Sequence, residues 1–247
     1  MTSVLGAAAG GLVTAQATLD TVANNMANVN TFAFKRARAL AAGSPSATST
    51  ANGASSGLSD TARDIVFSPA AAQMDNDPLH FAIEDDSFFK VLHEDGSTVF
   101  TRFGGLSTDG AGNVTGYNGR LLDPPVTVPA GMTQPAINGK GVITAVDQAG
   151  APQVIGQLTL VKFWNAQGLD SIGEGLYRPT ANSGAQSEGL PGTDGFAAVR
   201  PSALESSNVD IAEEYAQMVI AQRAYQACAK SFSVGDAMLD LATKLTR

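Results

Sequence analysis

The sequence is poor in the side chains that most often carry chemistry. It has one cysteine, Cys228, and two histidines, His80 and His93. One cysteine excludes an internal disulfide and a cysteine-rich zinc site. The two histidines have no H-x-x-x-H or H-E-x-x-H spacing, so no histidine metal centre is predicted. Charged residues are only 15% of the chain, below the roughly 25% of an average globular domain. Basic residues are outnumbered, 15 against 23, which leaves a formal net charge of −8 and a pI near 4.6. Such a balance excludes general binding to nucleic-acid backbones. No run of about 18 apolar residues exists, so no transmembrane segment is expected. The N-terminus also lacks the basic region of a secretory signal peptide: Asp20 is the sole charge before Lys35.

What the chain has in abundance is alanine, at 40 of 247 positions, with 26 glycines. That length supports a sizeable hydrophobic core in one large domain or two modest ones. The composition suits close helix packing or assembly better than catalysis.

Both ends carry a seven-residue period. Leu5, Leu12, Leu19 and Met26 repeat near the N-terminus, with Val22 and Val29 at the +3 positions. Ile211, Met218, Tyr225, Phe232 and Leu239 repeat near the C-terminus. Their +3 positions are Glu214, Ala221, Cys228, Gly235 and Ala242, mostly small residues that allow close approach of a partner helix. The C-terminal pattern predicts one helix over roughly 208–245. Ser207 or Asn208 is the expected N-cap, with Asp210, Glu213 and Glu214 favouring the first turn and Lys244 the last. The two seams pack on each other, or on copies from neighbouring subunits, as a coiled coil. The N-terminal helix has almost no charge for a wet face, which favours assembly.

The middle changes grammar. Residues 41–64 contain a low-complexity Ala/Ser/Gly/Thr stretch and read as a flexible or extended linker. Short strand-like runs follow at Ile65–Phe67, Leu79–Ile83, Phe88–Leu92, Thr98–Arg102, Val126–Val128, Val142–Val146 and Gln157–Phe163. Turn signals lie at 94–97, 109–113 and 148–150. The predicted fold class is α+β: N- and C-terminal helices paired as a coiled coil, with an inserted all-β domain. The expected boundaries are 1–40 for the N-terminal helix and an Asn-rich joint, and 41–64 for the linker. The β-rich domain follows over 65–180, a return linker over 181–206, and the C-terminal helix over 207–247.

Candidate chemistry is thin. Glu84, Asp85 and Asp86 are adjacent, so on a strand they diverge and read as a solvated strand end. Cys228 sits among small residues of a helix and reads as packing, not as a nucleophile. The glycine pairs match no phosphate cradle. Lys35, Arg36 and Arg38 form the one basic cluster, facing acid groups on a neighbour or complementing a helix C-terminus. Asn24, Asn25, Asn28 and Asn30 close the N-terminal helix. Asn25 and Asn28 share a face, and such amides satisfy orphan carbonyls or bridge to the other terminal helix.

Residues 23–36, ANNMANVNTFAFKR, resemble the N-terminal signature of the bacterial flagellar rod and hook proteins. Residues 207–232, SNVDIAEEYAQMVIAQRAYQACAKSF, resemble the C-terminal signature of the same family. Between them, 77–91, 95–122 and 156–185 resemble the β domain of rod proteins. The resemblance implies a non-enzymatic structural subunit of the basal-body rod, polymerising helically into the shaft that links motor to hook. It implies partners among other rod subunits, hook protein, outer ring (bushing) proteins and the flagellar type III export apparatus, and export without a cleaved signal peptide. It implies no cofactor. The expected assembly interface comprises Leu5, Leu12, Leu19, Met26, Asn24, Asn25 and Asn28 with Ile211, Met218, Tyr225, Phe232 and Leu239. A monomer is expected to keep a folded β core and disordered termini. Length disfavours a hook protein, and the full β module disfavours the small rod subunits, leaving a proximal or distal rod subunit with a β domain. The alternatives are a hook-type axial protein or a non-enzymatic secreted binding module. One departure stands out: Ala33 occupies a position where the family usually has Gly, and is strained there if the turn needs a positive φ.

Overall fold

The computed structural model describes residues 2–42, 60–193 and 195–245. These divide into two compact units. The first draws on 1–29, 36–66 and 209–247, and the second on 30–35 and 67–208.

The first unit is helical. Helix α1 spans Thr2–Ala27 and helix α2 spans Ile211–Leu245. Within α1 the hydroxyls of Thr14, Thr18 and Thr21 donate to the carbonyls of Gly10, Thr14 and Ala17, so these polar groups need no outside partner. The helix stops at the asparagines, where the Asn28 N–H is shared between the carbonyls of Asn24 and Asn25. At the start of α2 the cap differs from expectation. Asp210 Oδ1 accepts from the N–H groups of Ala212 (2.8 Å) and Glu213 (3.4 Å), so Asp210 is the N-cap rather than Ser207 or Asn208.

The two helices run antiparallel: Leu5 packs at Gly235 and Gly11 at Cys228. Their contact uses small residues. Ala8, Ala15 and Val22 are the buried seven-residue series of α1, three positions on from the leucines. On α2 the inward series is Glu214 and Ala221, both buried, then Cys228 and Gly235, half-buried. A Cβ on Gly11 would lie 2.5 Å from Cys228 Sγ, so the missing side chain at Gly11 leaves room for that sulfur. The residues of this α2 series are the +3 positions expected to allow close approach, and within one chain they face the partner helix.

The strands Ala37–Ala42 and Asp60–Ile65 complete the first unit as an antiparallel ribbon, with Ala37 opposite Ile65 and Ala42 opposite Asp60. The expected linker over 41–64 therefore has paired strand at both of its ends, 41–42 and 60–64, and its central part, 43–59, lies outside the described residues.

The second unit is the β domain. Its largest sheet has six strands in the spatial order Asp170–Gly173, Leu176–Arg178, Thr98–Thr101, Phe88–Leu92, Leu160–Phe163, Gln186–Gly189. A second sheet joins Pro152–Gln157, Val142–Val146 and Thr133–Ile137. The turn expected at 94–97 forms: the His93 N–H donates to the Ser97 carbonyl between two paired strands. The expected strand over 157–163 breaks at Leu158 and Thr159 and divides between two sheets. Both faces of the largest sheet are covered. Phe89, Val91 and Val99 enter the main core with Phe81, Ile143 and Leu160. Phe88 points the other way, edge-on to Phe67, Tyr177 and Phe163, with ring centroids 5.2, 5.7 and 5.8 Å away.

The expected return linker over 181–206 holds three strands. Besides Gln186–Gly189, Val199–Pro201 pairs with Phe81–Ile83, and Ala203–Glu205 pairs with Ala72–Met74. The last two are three residues long and their partners lie more than a hundred residues upstream, so no local hairpin signal marks them. The β domain thus extends to Asn208, beyond the expected limit at 180.

Candidate assembly interface

The expected interface residues fall into three groups. Leu5, Leu12, Leu19, Met26 and Met218 are half-buried along the helix pair. Ile211, Tyr225 and Phe232 remain 47%, 41% and 42% exposed, on the flank of α2 rather than in its inward seam. The Leu239 side chain lies outside the described residues. The exposed series is not isolated: Tyr215, Val219, Ile220, Val234, Met238 and Leu241 are exposed on the same helix. Single exposed apolar residues are ordinary, but a helix that shows this many along its length has an unfilled packing surface.

The asparagines divide in the same way. Asn24 is exposed, and its carbonyl accepts from the Asn28 side-chain amide at 2.9 Å. Asn25 is buried and reaches across twelve residues to Ala37. Its Nδ2 donates to the Ala37 carbonyl at 2.9 Å, and its Oδ1 accepts the Ala37 N–H at 3.0 Å. The amide thus pairs with both backbone polar groups of one residue as a neighbouring strand would, and fixes the start of the ribbon to the end of α1.

Two members of the basic cluster, Lys35 and Arg36, find acids in their own chain. Arg36 bridges Glu213 and the buried Glu214 at the start of α2, each at 2.6 Å. Lys35 belongs to the β domain, where it enters a buried ion cluster that sequence reasoning did not reveal. Its ammonium lies 2.7 Å from Glu205 Oε1 and donates to the Ser68 carbonyl at 2.9 Å. Arg102 meets the same carboxylate through Nε and Nη2, both at 3.0 Å, and donates to the Ser87 carbonyl at 2.8 Å. The Ala70 N–H supplies a further bond to Glu205 Oε1 at 3.0 Å. All three ionic side chains are essentially inaccessible to water. Two cations share one carboxylate, so the cluster carries excess positive charge. Burial first and Arg102 second pull the Lys35 pKa down from 10.5 to about 8, against the attraction of Glu205. Beside this cluster, Ala33 has φ of 56° and is buried, its N–H donating to the Glu205 carbonyl at 2.7 Å. The turn does require the left-handed region, and alanine occupies it.

Among the described residues no catalytic constellation emerges. Asp85 loses some solvation on burial, yet the Ala197 N–H, Lys162 and the Ser87 N–H hold its pKa below the ordinary value. Glu84 turns instead toward Arg200, at 3.7 Å. The acidic triplet therefore diverges. Among the described residues no three His, Cys, Asp or Glu side chains gather as metal ligands, and no helix is long and apolar enough to cross a membrane.

Three family models match in sequence order. Residues 5–35 match "Flagella basal body rod protein", 82–145 match "Flagellar hook protein FlgE/F/G D1 domain", and 200–245 match "Flagellar basal body rod FlgEFG protein C-terminal". The chain is 34% identical over its whole length to the whole flagellar basal-body rod protein FlgG of Borreliella burgdorferi. It belongs to the flagellar basal-body rod protein family. The FlgG of Bacillus subtilis is 34% identical with 96% of both chains covered, and that of Caulobacter vibrioides 32% identical with 98% covered. A flagellar hook protein FlgE, from Treponema pallidum, is 40% identical over 45% of this chain and 24% of its own. The family places the chain in the flagellar basal body as a structural component. The rod models span both halves of what the structure brings together: α1 with Asn25, Ala33 and Lys35 in one, Glu205 and α2 in the other.

Proposed function

We propose that this rod subunit polymerises helically through the exposed flank of α2, forming part of the shaft that carries torque from motor to hook. The observation that carries the reading is the division of labour between two seven-residue series. The small series, Ala8, Ala15 and Val22 with Ala221, Cys228 and Gly235, is consumed in pairing α1 with α2 within the chain. Of the large series, Ile211, Tyr225 and Phe232 are left outside, with Met218 half-buried between them. Burying one such side chain contributes roughly 1.5–3 kcal/mol. Several per contact, repeated by helical symmetry, offset the entropy of fixing the helices. Supercoiling of the helices with those of neighbouring copies follows from the seven-residue period. Leu5, Leu12, Leu19, Met26 and Met218, half-buried at the edge of the pair, extend the same surface.

Neighbours in this reading are copies of the chain, other rod subunits, hook protein and the outer ring proteins. The chain passes through the flagellar type III export apparatus without cleavage of a signal peptide. It has no enzymatic role. The match to FlgG proteins along the entire chain favours a rod subunit of that type over a hook-type axial protein.

The test is assembly by Phe232→Asp and Met218→Asp variants, counted as basal bodies with complete rods. The expected result is a folded β domain, by circular dichroism, with rods absent. Normal rods from both variants would overturn the interface.

A further inference from the structure

The chain passes between its two units four times, at 29/30, 35/36, 66/67 and 208/209. Three segments of the β domain therefore end at a crossing: 30–35, the stretch from Phe67, and the stretch to Asn208. One carboxylate touches all three. Glu205 stands on the last, takes the ammonium of Lys35 from the first, and takes the Ala70 N–H from the second. We propose that Glu205 is a knot that makes these three exits order and loosen as one unit, separately from the strands of the β core and from the terminal helices.

The bonds around it cross-link the same segments. Lys35 also donates to Ser68, tying the first exit to the second. Asn208 Nδ2 donates to the Ser68 carbonyl at 3.2 Å, tying the third to the second, and the Asn208 N–H donates to the Phe34 carbonyl at 3.4 Å, tying the third to the first. The Ala33 N–H closes the ring on the Glu205 carbonyl. Arg102, next to the strand Thr98–Thr101, fastens the carboxylate to the sheet with two bonds.

A buried ammonium that leaves its carboxylate but stays buried is stranded away from water, so the Lys35 bonds to Glu205 and Ser68 are made or lost together. If the first exit frays, Lys35 withdraws from Glu205 and Ser68 together, and the bonds of the second and third exits lose their common acceptor geometry. The network therefore opens as a whole. Its consequence is local: fraying of the helices stops at the knot, and the strands beyond it keep their pairing. The inference concerns a single subunit and does not rest on the assembly reading, so either can fail alone.

Native-state hydrogen exchange on the full-length monomer, read at single amides across low denaturant, tests it. The amides of Ala33, Ala70 and Asn208 are expected to share one opening isotherm, distinct from those of strands Phe88–Leu92 and Thr98–Thr101 and from that of α1. Lys35→Met, which leaves the Arg102–Glu205 pair balanced, is expected to speed exchange at all three amides by a common factor of at least ten. Three separate isotherms, acceleration at Ala33 alone, equal acceleration in the core strands, or no change in Lys35→Met would each overturn the proposal.

Discussion

Lys35 and Glu205 are 170 residues apart in sequence and 2.7 Å apart in space, both removed from water. Each lies within a stretch that matches a different rod-family model, one near each end of the chain. The two matched ends therefore meet within the β domain itself, at one buried ion pair.

Neutralising the acid should cost the most. Glu205→Gln leaves Lys35 and Arg102 buried without a counter-charge, and such a loss costs about 3–5 kcal/mol. Urea unfolding of the β domain is the measurement. Lys35→Met should cost less, because Arg102 and Glu205 remain a balanced pair while only the ammonium's bonds to Glu205 and Ser68 are lost.

Stability should also depend on pH with a defined sign. The folded chain releases the Lys35 proton near pH 8, whereas an ordinary lysine holds it to 10.5. Between those values the unfolded chain binds more protons, so Lys35 makes stability rise with pH. Burial pushes the Tyr177 phenol up from its ordinary 10.0, so above pH 10 the folded chain retains a proton the unfolded chain loses. That group makes stability fall. Denaturation midpoints across pH 7–11.5 should climb and then drop, and Lys35→Met should abolish the climb while keeping the drop.

Ala33 gives a test of backbone strain. A non-glycine residue in the left-handed region costs about 1–2 kcal/mol, while its buried methyl contributes about 0.8 kcal/mol. Ala33→Gly should therefore change stability by less than about 1 kcal/mol. Ala33→Val places a β-branched residue at φ 56° and should cost more than about 2 kcal/mol by thermal unfolding.

The helix pair has its own reciprocal test. Gly11→Ala would set a methyl 2.5 Å from Cys228 Sγ but 3.6 Å from its Cβ. The single substitution should weaken helix pairing by about 1–3 kcal/mol. Adding Cys228→Ala removes the sulfur and should restore most of it. A double-mutant cycle on helix content against temperature reads this coupling.

Sequence reasoning reached the α+β organisation because helix and strand periods differ and both were strong. Phe88–Leu92 and Val142–Val146 were legible to the residue through their apolar runs and flanking turns. The register of the helix pair was legible only in part. The small +3 residues of α2 read as allowing close approach, but large residues also repeat every seven positions beside them, and periodicity alone does not say which series faces the partner. The strands Val199–Pro201 and Ala203–Glu205 escaped because their partners are remote and their flanks read as turns. The Lys35–Glu205–Arg102 cluster left no local trace, since none of the three is near another in sequence. Asn25 was legible as a joint by residue type, but its partner, Ala37, was not. Ala33 was legible through the family resemblance, which implies glycine at this position and hence a backbone in the left-handed region, as its φ of 56° has it.

The central claim is that Ile211, Tyr225 and Phe232, exposed in the single chain, are the surface on which subunits meet. A helical image reconstruction of assembled rods, at a resolution that shows side chains, tests it most directly. The account predicts all three buried against helices of neighbouring subunits, with the Gly11–Cys228 contact retained inside each chain. Finding these three side chains facing solvent in the assembled rod would contradict it.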